Sequence, residues 1–451
     1  MQKILVLGAG RSSGSLIQYL LDQSAGNDWQ VTVADQQEDM ARQKTGSHPH
    51  AIARSINIQD GDARVELIQE HHLVVSLLPP HLHILAARDC LTAGKHLVTA
   101  SYVSPEMAAL REEVKKAGIL FMCEMGLDPG IDHMSAMRII HALKERKVEI
   151  LSFRSATGGL VALESDNNPW HYKITWNPRN VVLAGQGAAQ YLEKGKTRYI
   201  PYQRLFTQTE ITAIPGYGRF EAYANRDSLH YIDTYGLQGV PDILRATFRR
   251  PGYCEAWNAL LKLGWTDDSY QLHLPAGMTY AGLTEAFLPP DRKSQQVRKR
   301  MARWLHEKPG SGILRRLEWL GIFEETAIGI TEATPAVILQ QLLEKKMKMG
   351  EQDKDLIVMQ HHFRFREEGK EKEWSSVMVL KGRDQHHTAM ADTVGLPMGI
   401  LTKKILEGSL KLTGVQIPVM PEVYIPVLKE LETLGVVFQE KEKKLKGRNK
   451  G

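Results

Sequence analysis

The first 145 residues predict an α/β fold of the Rossmann type, a doubly wound parallel sheet with helices on both faces. Short apolar, β-rich runs recur along them, namely "KILVLG", "QVTVAD", "LVVSLL", "HLVTA" and "GILFMC". Segments with helical spacing lie between the runs, and "HILAARDCLTAG" and "PEMAALREEVKKAG" end in glycine, as helix C-termini often do. Strands and helices that alternate at this interval indicate parallel strands joined by right-handed crossovers.

Composition excludes several classes of protein. A chain of 451 residues with 24% charged and 43% hydrophobic residues is typical of a folded protein of two or three domains. Its three cysteines, Cys90, Cys123 and Cys254, lack C-x-x-C spacing, which argues against a disulfide framework or a structural zinc site and favours a reducing, cytoplasmic compartment. No run approaches 18 apolar residues, so we expect no membrane span. We interpret the basic tail "EKEKKLKGRNKG" as a solvated end and expect no nucleic-acid partner.

The first predicted strand ends in the glycine-rich stretch "GAGRSSG", with Gly8, Gly10 and Gly14. Such a turn lets the backbone approach a pyrophosphate, and the following helix N-terminus offers N–H groups to it. The third glycine falls one position later than in G-x-G-x-x-G, where Ser13 stands instead, so a purely structural turn remains an alternative.

The second strand ends at Asp35, about 25 residues after Gly10. A carboxylate there can accept both ribose hydroxyls of an adenosine and would repel a 2′-phosphate, which favours NAD over NADP. Arg11 argues for NADP, because a guanidinium beside the loop can pair with an extra phosphate. Asn57 lies where the third strand should end and could line the adenine side, whereas Asp60 is expected to cap the next helix.

Two further strand ends are candidates for contact with the nicotinamide half of a dinucleotide. Ser76, Leu77, Leu78 and Pro79 follow one strand, and Ser101 and Tyr102 follow the next. Ligands of doubly wound sheets bind at the carboxyl ends of the strands.

The stretch "LDPGIDH" resembles a metal site at first sight. We predict that Asp128 is a helix N-cap and Pro129 the first helical residue, with His133 about 100° around the helix from Asp132. Because these side chains diverge, we interpret Asp132 and His133 as structural. The pairs His361/His362 and His386/His387 give no ligand set either, since adjacent strand residues point to opposite faces. No metal is predicted.

The order of the motifs "GAGRSSG", "SLLPP", "TASYVS", "MGLDPGIDHMSA", "GGLVALESDNNPWHYKITWNPR", "YANRDSL" and "RATFRRPGY" resembles the saccharopine dehydrogenase (L-glutamate-forming) family. The resemblance implies a dinucleotide-binding domain at 1–128 plus about 390–445, a mixed α/β substrate and dimerisation domain at about 129–240 plus 352–389, and a helical insertion at about 241–351. It implies a homodimer that interconverts saccharopine with L-glutamate and 2-aminoadipate 6-semialdehyde, using NAD or NADP.

The resemblance also assigns site residues. Because saccharopine has three carboxylates, its pocket needs fixed cations, and Arg226 and Arg245 with Thr247 match the family positions that hold them. Arg249 and Arg250 are expected on a solvated face. The substrate set comprises Ser101, Tyr102, Asp128, Lys173, Arg226, Arg245 and Thr247. The cofactor set comprises Gly8, Gly10, Arg11, Ser12, Ser13, Asp35, Asn57, Ser76, Leu77, Leu78, Pro79, Ser101, Leu127, Asp128 and Pro129.

The chemistry that the resemblance implies is hydride transfer from the carbon bearing the secondary amine, followed by hydrolysis of the iminium. Asp128 is the candidate base, and Lys173 would compete only if burial lowered its pKa. A related dehydrogenase acting on lysine or a carboxylated polyamine, or a non-catalytic dinucleotide sensor, remains an alternative. Arg226, Arg245 and Thr247 disfavour both.

Overall fold

The structure is a computed structural model that describes residues 1–290 and 296–445, so residues 446–451 of the basic tail lie outside the described part. Its helices are α1 (Gly14–Asn27), α2 (Glu38–Thr45), α3 (Gly61–Gln69), α4 (His83–Ala93), α5 (Pro105–Ala109), α6 (Arg111–Lys116), α7 (Ile131–Glu145), α8 (Pro178–Val182), α9 (Tyr202–Leu205), α10 (His230–Tyr235), α11 (Tyr253–Leu263), α12 (Tyr280–Phe287), α13 (Val297–Trp304), α14 (Gly312–Leu320), α15 (Pro335–Lys346), α16 (Ala389–Leu406) and α17 (Pro421–Thr433).

Its strands are β1 (Gln2–Leu7), β2 (Trp29–Asp35), β3 (Ala51–Ser55), β4 (Leu73–Ser76), β5 (His96–Thr99), β6 (Leu120–Met122), β7 (Glu149–Val161), β8 (Ala189–Glu193), β9 (Lys196–Ile200), β10 (Thr209–Ile214), β11 (Gly218–Ala224), β12 (Asp242–Arg249), β13 (Leu272–His273), β14 (Glu332–Ala333), β15 (Asp355–Glu367), β16 (Lys370–Lys381), β17 (Gly414–Gln416) and β18 (Phe438–Lys444).

The chain forms two compact units, and the first, Met1–Glu149 with Ser376–Lys441, contains the predicted parallel sheet. The strand order is β17-β6-β5-β4-β1-β2-β3, and every neighbouring pair is parallel. The strands are apolar runs because helices cover both faces of such a sheet, and residues 4–7 of β1 are fully buried. The doubly wound fold predicted from the sequence is therefore confirmed. Its order reverses beside β1, next to the glycine loop.

The C-terminal segment completes this unit. β17 adds a parallel strand beside β6, with Val415 opposite Phe121. The hydroxyl of Ser15 on α1 donates to Asp392 of α16 at 2.5 Å, and Tyr19 of α1 donates to Glu430 of α17 at 2.5 Å. Burial and Glu430 together raise the pKa of Tyr19, so its hydroxyl remains a donor. The helix after the glycine loop is thus held by residues about 400 positions away.

The described part of the second unit, residues 150–290, 296–375 and 442–445, is built on a mixed sheet of order β10-β11-β12-β7-β15-β16-β18, in which β8 also pairs with β12 and β9. β12 runs parallel to β7 and antiparallel to β11, so both kinds of pairing occur in one sheet. The segment from α11 to α15 is helical, as the apolar spacing predicts, and its core includes Trp257, Trp265 and Trp170.

The units divide at Glu149 and Ser376, whereas the resemblance implied boundaries near residues 128 and 390. α7 belongs to the first unit because it packs on α17, where His141 bonds Tyr424 at 2.8 Å. The helical segment 241–351 lies within the second unit. Among residues 1–290 and 296–445, no helix is long and apolar enough to cross a membrane.

Candidate active site

The glycine loop after β1 is shaped by two glycines with different requirements. Gly8 has φ 103°, and a Cβ there would lie 3.1 Å from the carbonyl oxygen of Leu77, so only glycine fits without strain. A Cβ on Gly10 would meet nothing within 4 Å, and Gly10 is exposed. The backbone at Gly10 is therefore open to a ligand at the N-terminal end of α1, where N–H groups favour a phosphate. This arrangement fits the pyrophosphate of a dinucleotide.

The other loop residues differ in exposure. Ser13 is buried, and its hydroxyl donates to the Gly10 carbonyl at 2.8 Å, so it holds the turn. Ser12 is half-buried, and Arg11 is exposed beside the loop. Ser13 thus replaces the third glycine of the motif as a structural residue.

Asp35 lies at the end of β2, as predicted, but both of its carboxylate oxygens accept backbone N–H groups. Oδ2 accepts from Ala9 at 2.8 Å and Oδ1 from Gln37 at 3.0 Å. The carboxylate therefore ties the glycine loop to the β2 end. Because its oxygens already have these donors, the geometry gives no independent support to the expected preference for NAD.

Asn57 and Asp60 lie beyond β3. Asn57 is exposed, and its side-chain oxygen accepts from the Gln59 N–H at 3.1 Å. Asp60 is the N-cap of α3 and accepts from the Ala63 N–H at 3.2 Å, so the predicted cap is confirmed.

A buried histidine that the sequence analysis missed connects the two strand ends assigned to the nicotinamide half. His83, the first residue of α4, bonds Ser76 through Nδ1 at 2.8 Å and Ser101 through Nε2 at 2.8 Å. Thr99 lies 3.3 Å from the same Nε2. Burial lowers the pKa of His83 to about 4, so the ring is neutral near pH 7. A histidine seven positions after a strand end was the signal available in "SLLPPHLHI".

Leu77, Leu78 and Pro79 follow Ser76 at the same edge of the sheet. Leu77 and Leu78 are half-buried, and the Leu77 N–H donates to the Leu7 carbonyl at 2.8 Å. Pro79 is exposed and precedes a short turn that leads into α4.

The turn "LDPG" differs from the predicted helix start. α7 begins at Ile131 after Gly130, which has φ 143°, so Asp128 is not the N-cap and Pro129 is not in the helix. The side chain of Asp132 instead accepts the Gly130 N–H at 2.6 Å. A Cβ at Gly130 would lie 2.1 Å from the Gly126 carbonyl oxygen, so the chain folds back on itself too tightly for a cap at Asp128.

Asp128 is half-buried at this edge, and the Tyr102 hydroxyl donates to its Oδ1 at 3.5 Å. Leu127 and Pro129 on either side are buried. The structure thus brings Tyr102 and Asp128, which are distant in sequence, to one place beside Ser101.

A buried pair, Glu124 and His133, which was not predicted from the sequence, holds the backbone next to Tyr102. Glu124 bonds Nε2 of His133 at 2.7 Å and accepts the Val103 N–H at 3.1 Å. Both side chains are buried, so His133 is structural, as expected. Glu124 also fixes the backbone next to Tyr102.

The second unit brings together the predicted carboxylate-binding residues. Arg245 and Thr247 lie on the same face of β12, since side chains alternate along a strand. Arg245 is buried, with its guanidinium 4.1 Å from the centre of the Tyr231 ring. The backbone bond from Asn225 N–H to the Arg245 carbonyl, 2.8 Å long, sets the exposed Arg226 next to this strand.

Arg249 and Arg250 are not on a solvated face, so that expectation was wrong. They are 3% and 7% exposed. Arg249 lies among the rings of Tyr172, Tyr223 and Tyr253, each with its centre within 5.7 Å of the guanidinium. Arg250 lies over Phe220 and donates to the Tyr217 carbonyl at 2.7 Å. Aromatic faces and carbonyls stabilise these cations in place of water.

Lys173 is buried and forms an ion pair with Asp353, which also accepts the Gly350 N–H. The pair gives this ammonium a partner inside the protein. Among the described residues, no three His, Cys, Asp or Glu side chains come together as metal ligands would. His361 is buried against Phe153, and His387 bonds Asp384 at 3.0 Å.

Comparison with known families matches the two parts of the chain separately. Residues 4–122 match the saccharopine dehydrogenase NADP binding domain, and residues 126–436 match the saccharopine dehydrogenase C-terminal domain.

Individual proteins match over nearly the whole chain. Saccharopine dehydrogenase [NADP(+), L-glutamate-forming] of Schizosaccharomyces pombe is 32% identical, with 98% of this chain and 99% of that protein covered. The mitochondrial alpha-aminoadipic semialdehyde synthase of Rattus norvegicus is 33% identical over 97% of this chain, but the chain spans only 47% of that protein. The apo saccharopine dehydrogenase (L-Glu forming) structure from Saccharomyces cerevisiae superposes with a TM-score of 0.88 at 29% identity, and covers 98% of this chain and 100% of that one.

Proposed function

The chain belongs to the saccharopine dehydrogenase family, and from this premise we propose that it interconverts saccharopine with L-glutamate and 2-aminoadipate 6-semialdehyde, using a nicotinamide dinucleotide. The observation that carries the proposal is the end-to-end similarity to the fungal L-glutamate-forming enzyme, which leaves no part of either chain unmatched beyond a few residues. The alpha-aminoadipic semialdehyde synthases match over only about half of their length, so they support the proposal less directly.

The residues proposed to hold the cofactor belong to the first unit. The open backbone at Gly10 and the α1 N-terminus would receive the pyrophosphate, and Ser101 and the turn at Leu127–Pro129 would contact the nicotinamide half. Ser76 is fully buried and bonded to His83, so it would support this half through His83. When bound, the nicotinamide ring supplies the hydride acceptor or donor that no amino-acid side chain can provide.

We propose NADP as the cofactor in preference to NAD. The matched domain family is described as NADP binding. Asp35 accepts two backbone N–H groups, so it is less available to the ribose hydroxyls of NAD. Arg11 is exposed beside the glycine loop and can offer a guanidinium to a 2′-phosphate.

The residues proposed to hold the substrate are Arg226, Arg245 and Thr247, with guanidinium groups as the preferred partners of carboxylates. Lys173 remains a proposed substrate contact, although its ion pair with Asp353 means that it would have to share its charge. Arg245 is held against the Tyr231 ring, so little conformational entropy would be lost on binding a carboxylate.

In the oxidative direction, the CH2 carbon that joins the secondary amine to the aminoadipate part of saccharopine would lose a hydride to the nicotinamide, and the resulting iminium would add water and separate into glutamate and the semialdehyde. A protein group must accept the proton that the amine loses before it is oxidised. We propose Asp128 for this step, with Tyr102 holding its carboxylate. A homodimeric assembly and a cytoplasmic location stay predictions from the sequence.

The proposal is tested by incubating the purified chain with saccharopine and NADP, and separately with NAD, while reduced cofactor and glutamate are measured. Equal amounts of the two products are expected, with NADP preferred. Reduction of cofactor with lysine but not with saccharopine would instead support the related amine dehydrogenase. Absence of both products would end the proposal.

A further inference from the structure

His83 lies between two candidate ligand-contacting serines that belong to neighbouring strands. Ser76 is the last residue of β4, and Ser101 follows β5, which pairs with β4 in parallel register, Ser76 opposite Thr99. The imidazole spans the two strand ends, with 2.8 Å from Nδ1 to the Ser76 Oγ and 2.8 Å from Nε2 to the Ser101 Oγ. His83 is 4% exposed, whereas Ser101 is only half-buried. The imidazole therefore contacts both serine hydroxyls from the interior of the protein.

A neutral imidazole has one N–H donor and one acceptor nitrogen, so the two serines must take opposite roles toward it. Either Ser76 donates to Nδ1 and Nε2–H donates to Ser101, or both bonds run in the reverse direction. The choice decides whether the Ser101 proton is turned toward the ring or away from it.

Burial of Ser76 selects between these two arrangements. Ser76 is fully buried, and His83 is the partner of its hydroxyl. If Nδ1 carried the proton, the Ser76 O–H would be a buried donor turned away from its partner, which is costlier than an unused lone pair. Ser76 therefore donates to Nδ1, and Nε2–H donates to the Ser101 oxygen. The Thr99 hydroxyl is buried as well and lies 3.3 Å from Nε2, but the Ser76 bond to Nδ1 is shorter at 2.8 Å, so the stronger Ser76 bond decides the tautomer. The Thr99 oxygen also accepts the Ser101 N–H at 3.3 Å and so holds the Ser101 backbone in the same network.

We propose that His83 is a positioning residue that turns the Ser101 hydroxyl outward as a hydrogen-bond donor to an oxygen of the bound ligand. The inference rests on the proposed function, because it concerns the same nicotinamide and substrate site. The ligand oxygen is either the carboxamide oxygen of the nicotinamide or a carboxylate oxygen of saccharopine. Both are acceptors that need a donor.

Two conservative variants separate the two bonds of the ring. In His83→Asn the amide oxygen takes the place of Nδ1 and can still accept from Ser76, but nothing reaches Ser101. In His83→Gln the longer side chain places an N–H near the position of Nε2 and can still donate to Ser101. If His83 acts through Ser101, His83→Asn lowers kcat/KM by about tenfold, as Ser101→Ala does, and His83→Gln retains most of the activity.

The source of the ligand oxygen follows from a comparison of two measurements on His83→Asn and Ser101→Ala. Weaker binding of NADPH, titrated by its fluorescence, assigns the acceptor to the nicotinamide carboxamide. An unchanged NADPH affinity with a raised KM for saccharopine assigns it to the substrate.

The decisive control is the double variant His83→Asn with Ser101→Ala. It should be no slower than Ser101→Ala alone, because the bond through which His83 acts is already gone. Effects that multiply, or a His83→Asn protein as active as wild type, would overturn the inference. Should His83→Asn not fold, Ser76→Ala removes the hydroxyl that selects the tautomer. It is expected to lower kcat/KM by a few-fold when residue 101 is serine and to have no effect on kcat/KM in the Ser101→Ala protein. Failure of the wild-type protein to oxidise saccharopine would count against the proposed function instead. In that case weaker NADPH binding by His83→Asn would still support the inference, and an unchanged NADPH affinity would overturn it.

Discussion

Glu124 and His133 form a buried pair, with 2.7 Å between the carboxylate Oε2 and Nε2 of the imidazole. The other oxygen of Glu124 accepts the N–H of Val103, directly after Tyr102. Glu124 also has φ 57°, in the left-handed region that non-glycine residues rarely adopt. Two side-chain hydrogen bonds therefore stabilise an unfavourable backbone conformation next to the proposed site.

We expect Glu124→Ala to lower the free energy of unfolding by about 3 kcal/mol, because it removes the acceptor of the buried His133 ring and of the half-buried Val103 N–H. Urea unfolding followed by circular dichroism measures the change. Glu38→Ala is the matched control, since its ion pair with the largely exposed Arg42 lies on the surface of α2 and should cost at most about 1 kcal/mol. Equal effects of the two substitutions would show that the buried pair does not hold the turn.

Gly8 and Gly10 should respond differently to the same substitution. Gly8→Ala places a Cβ 3.1 Å from the Leu77 carbonyl oxygen at a positive φ, which we expect to destabilise the protein by about 2 kcal/mol. Gly10→Ala meets no atom of the chain within 4 Å and should fold like wild type. It should nevertheless weaken cofactor binding at least about tenfold, because the methyl group would occupy the space of the pyrophosphate. Thermal unfolding and cofactor titration test both, and a Gly10→Ala protein with unchanged affinity would mean that the loop is only a turn.

Arg226 should act on the substrate and not on the cofactor. Removing a guanidinium that binds a carboxylate loses about 1.5–3 kcal/mol, so Arg226→Ala should raise KM for saccharopine by roughly 10–100-fold. NADP affinity should stay within about twofold of wild type. Arg219, an exposed arginine on β11, is the matched control, and Arg219→Ala should leave both constants unchanged. An unaltered KM for Arg226→Ala removes this residue from the site.

Arg11 should distinguish NADP from NAD. Arg11→Ala should lower kcat/KM with NADP by about tenfold, through loss of a charge-assisted bond to the 2′-phosphate, and leave the value with NAD nearly unchanged. Arg42→Ala, which removes a guanidinium already paired with Glu38 on α2, controls for general charge effects. A wild-type preference for NAD, or equal losses with both cofactors, would favour the original interpretation of Asp35.

The parallel sheet was predictable from the sequence because fully buried parallel strands are continuous apolar runs, such as residues 4–7 of β1. The glycine loop and the Asp60 cap were predictable for similar local reasons. The start of α7 was not predictable, because an Asp-Pro pair before a helical pattern is typical of an N-cap and first helical residue. Only the close approach of Gly130 to Gly126 shows that Asp128 is not the cap.

Contacts between residues that are distant in sequence could not be predicted either. The burial of Arg249 depends on three tyrosines, and only Tyr253 lies within "RATFRRPGY"; Tyr172 and Tyr223 come from distant segments that nothing in this stretch indicates. His83 likewise acquires its role only when β4 and β5 become neighbours. Periodicity reports which face of an element is buried but not which element covers it.

His83 also makes a prediction about acid stability. Its pKa is lowered from 6.5 to about 4 in the folded protein, because burial disfavours the charged ring and the nearby His81 repels it. As the pH falls from about 6.5 to about 4, His83 becomes protonated in the unfolded chain but stays neutral in the folded protein. The free energy of unfolding therefore decreases. Below about pH 4 both states bind it, and this loss stops increasing.

The loss attributable to His83 should reach about 3 kcal/mol. The His83→Gln protein cannot bind this proton. The difference in free energy of unfolding between His83→Gln and wild type should therefore shift steadily in favour of His83→Gln as the pH falls from about 6.5 to about 4. Urea unfolding of both proteins at several pH values across this range measures the difference, and the effects of His71, His96 and His362, whose pKa values are also lowered by burial, are common to both and cancel. Parallel pH profiles for the two proteins would mean that the His83 imidazole takes up its proton in the folded state as readily as in the unfolded one, which a ring buried between two hydroxyls and bonded through both nitrogens should not do.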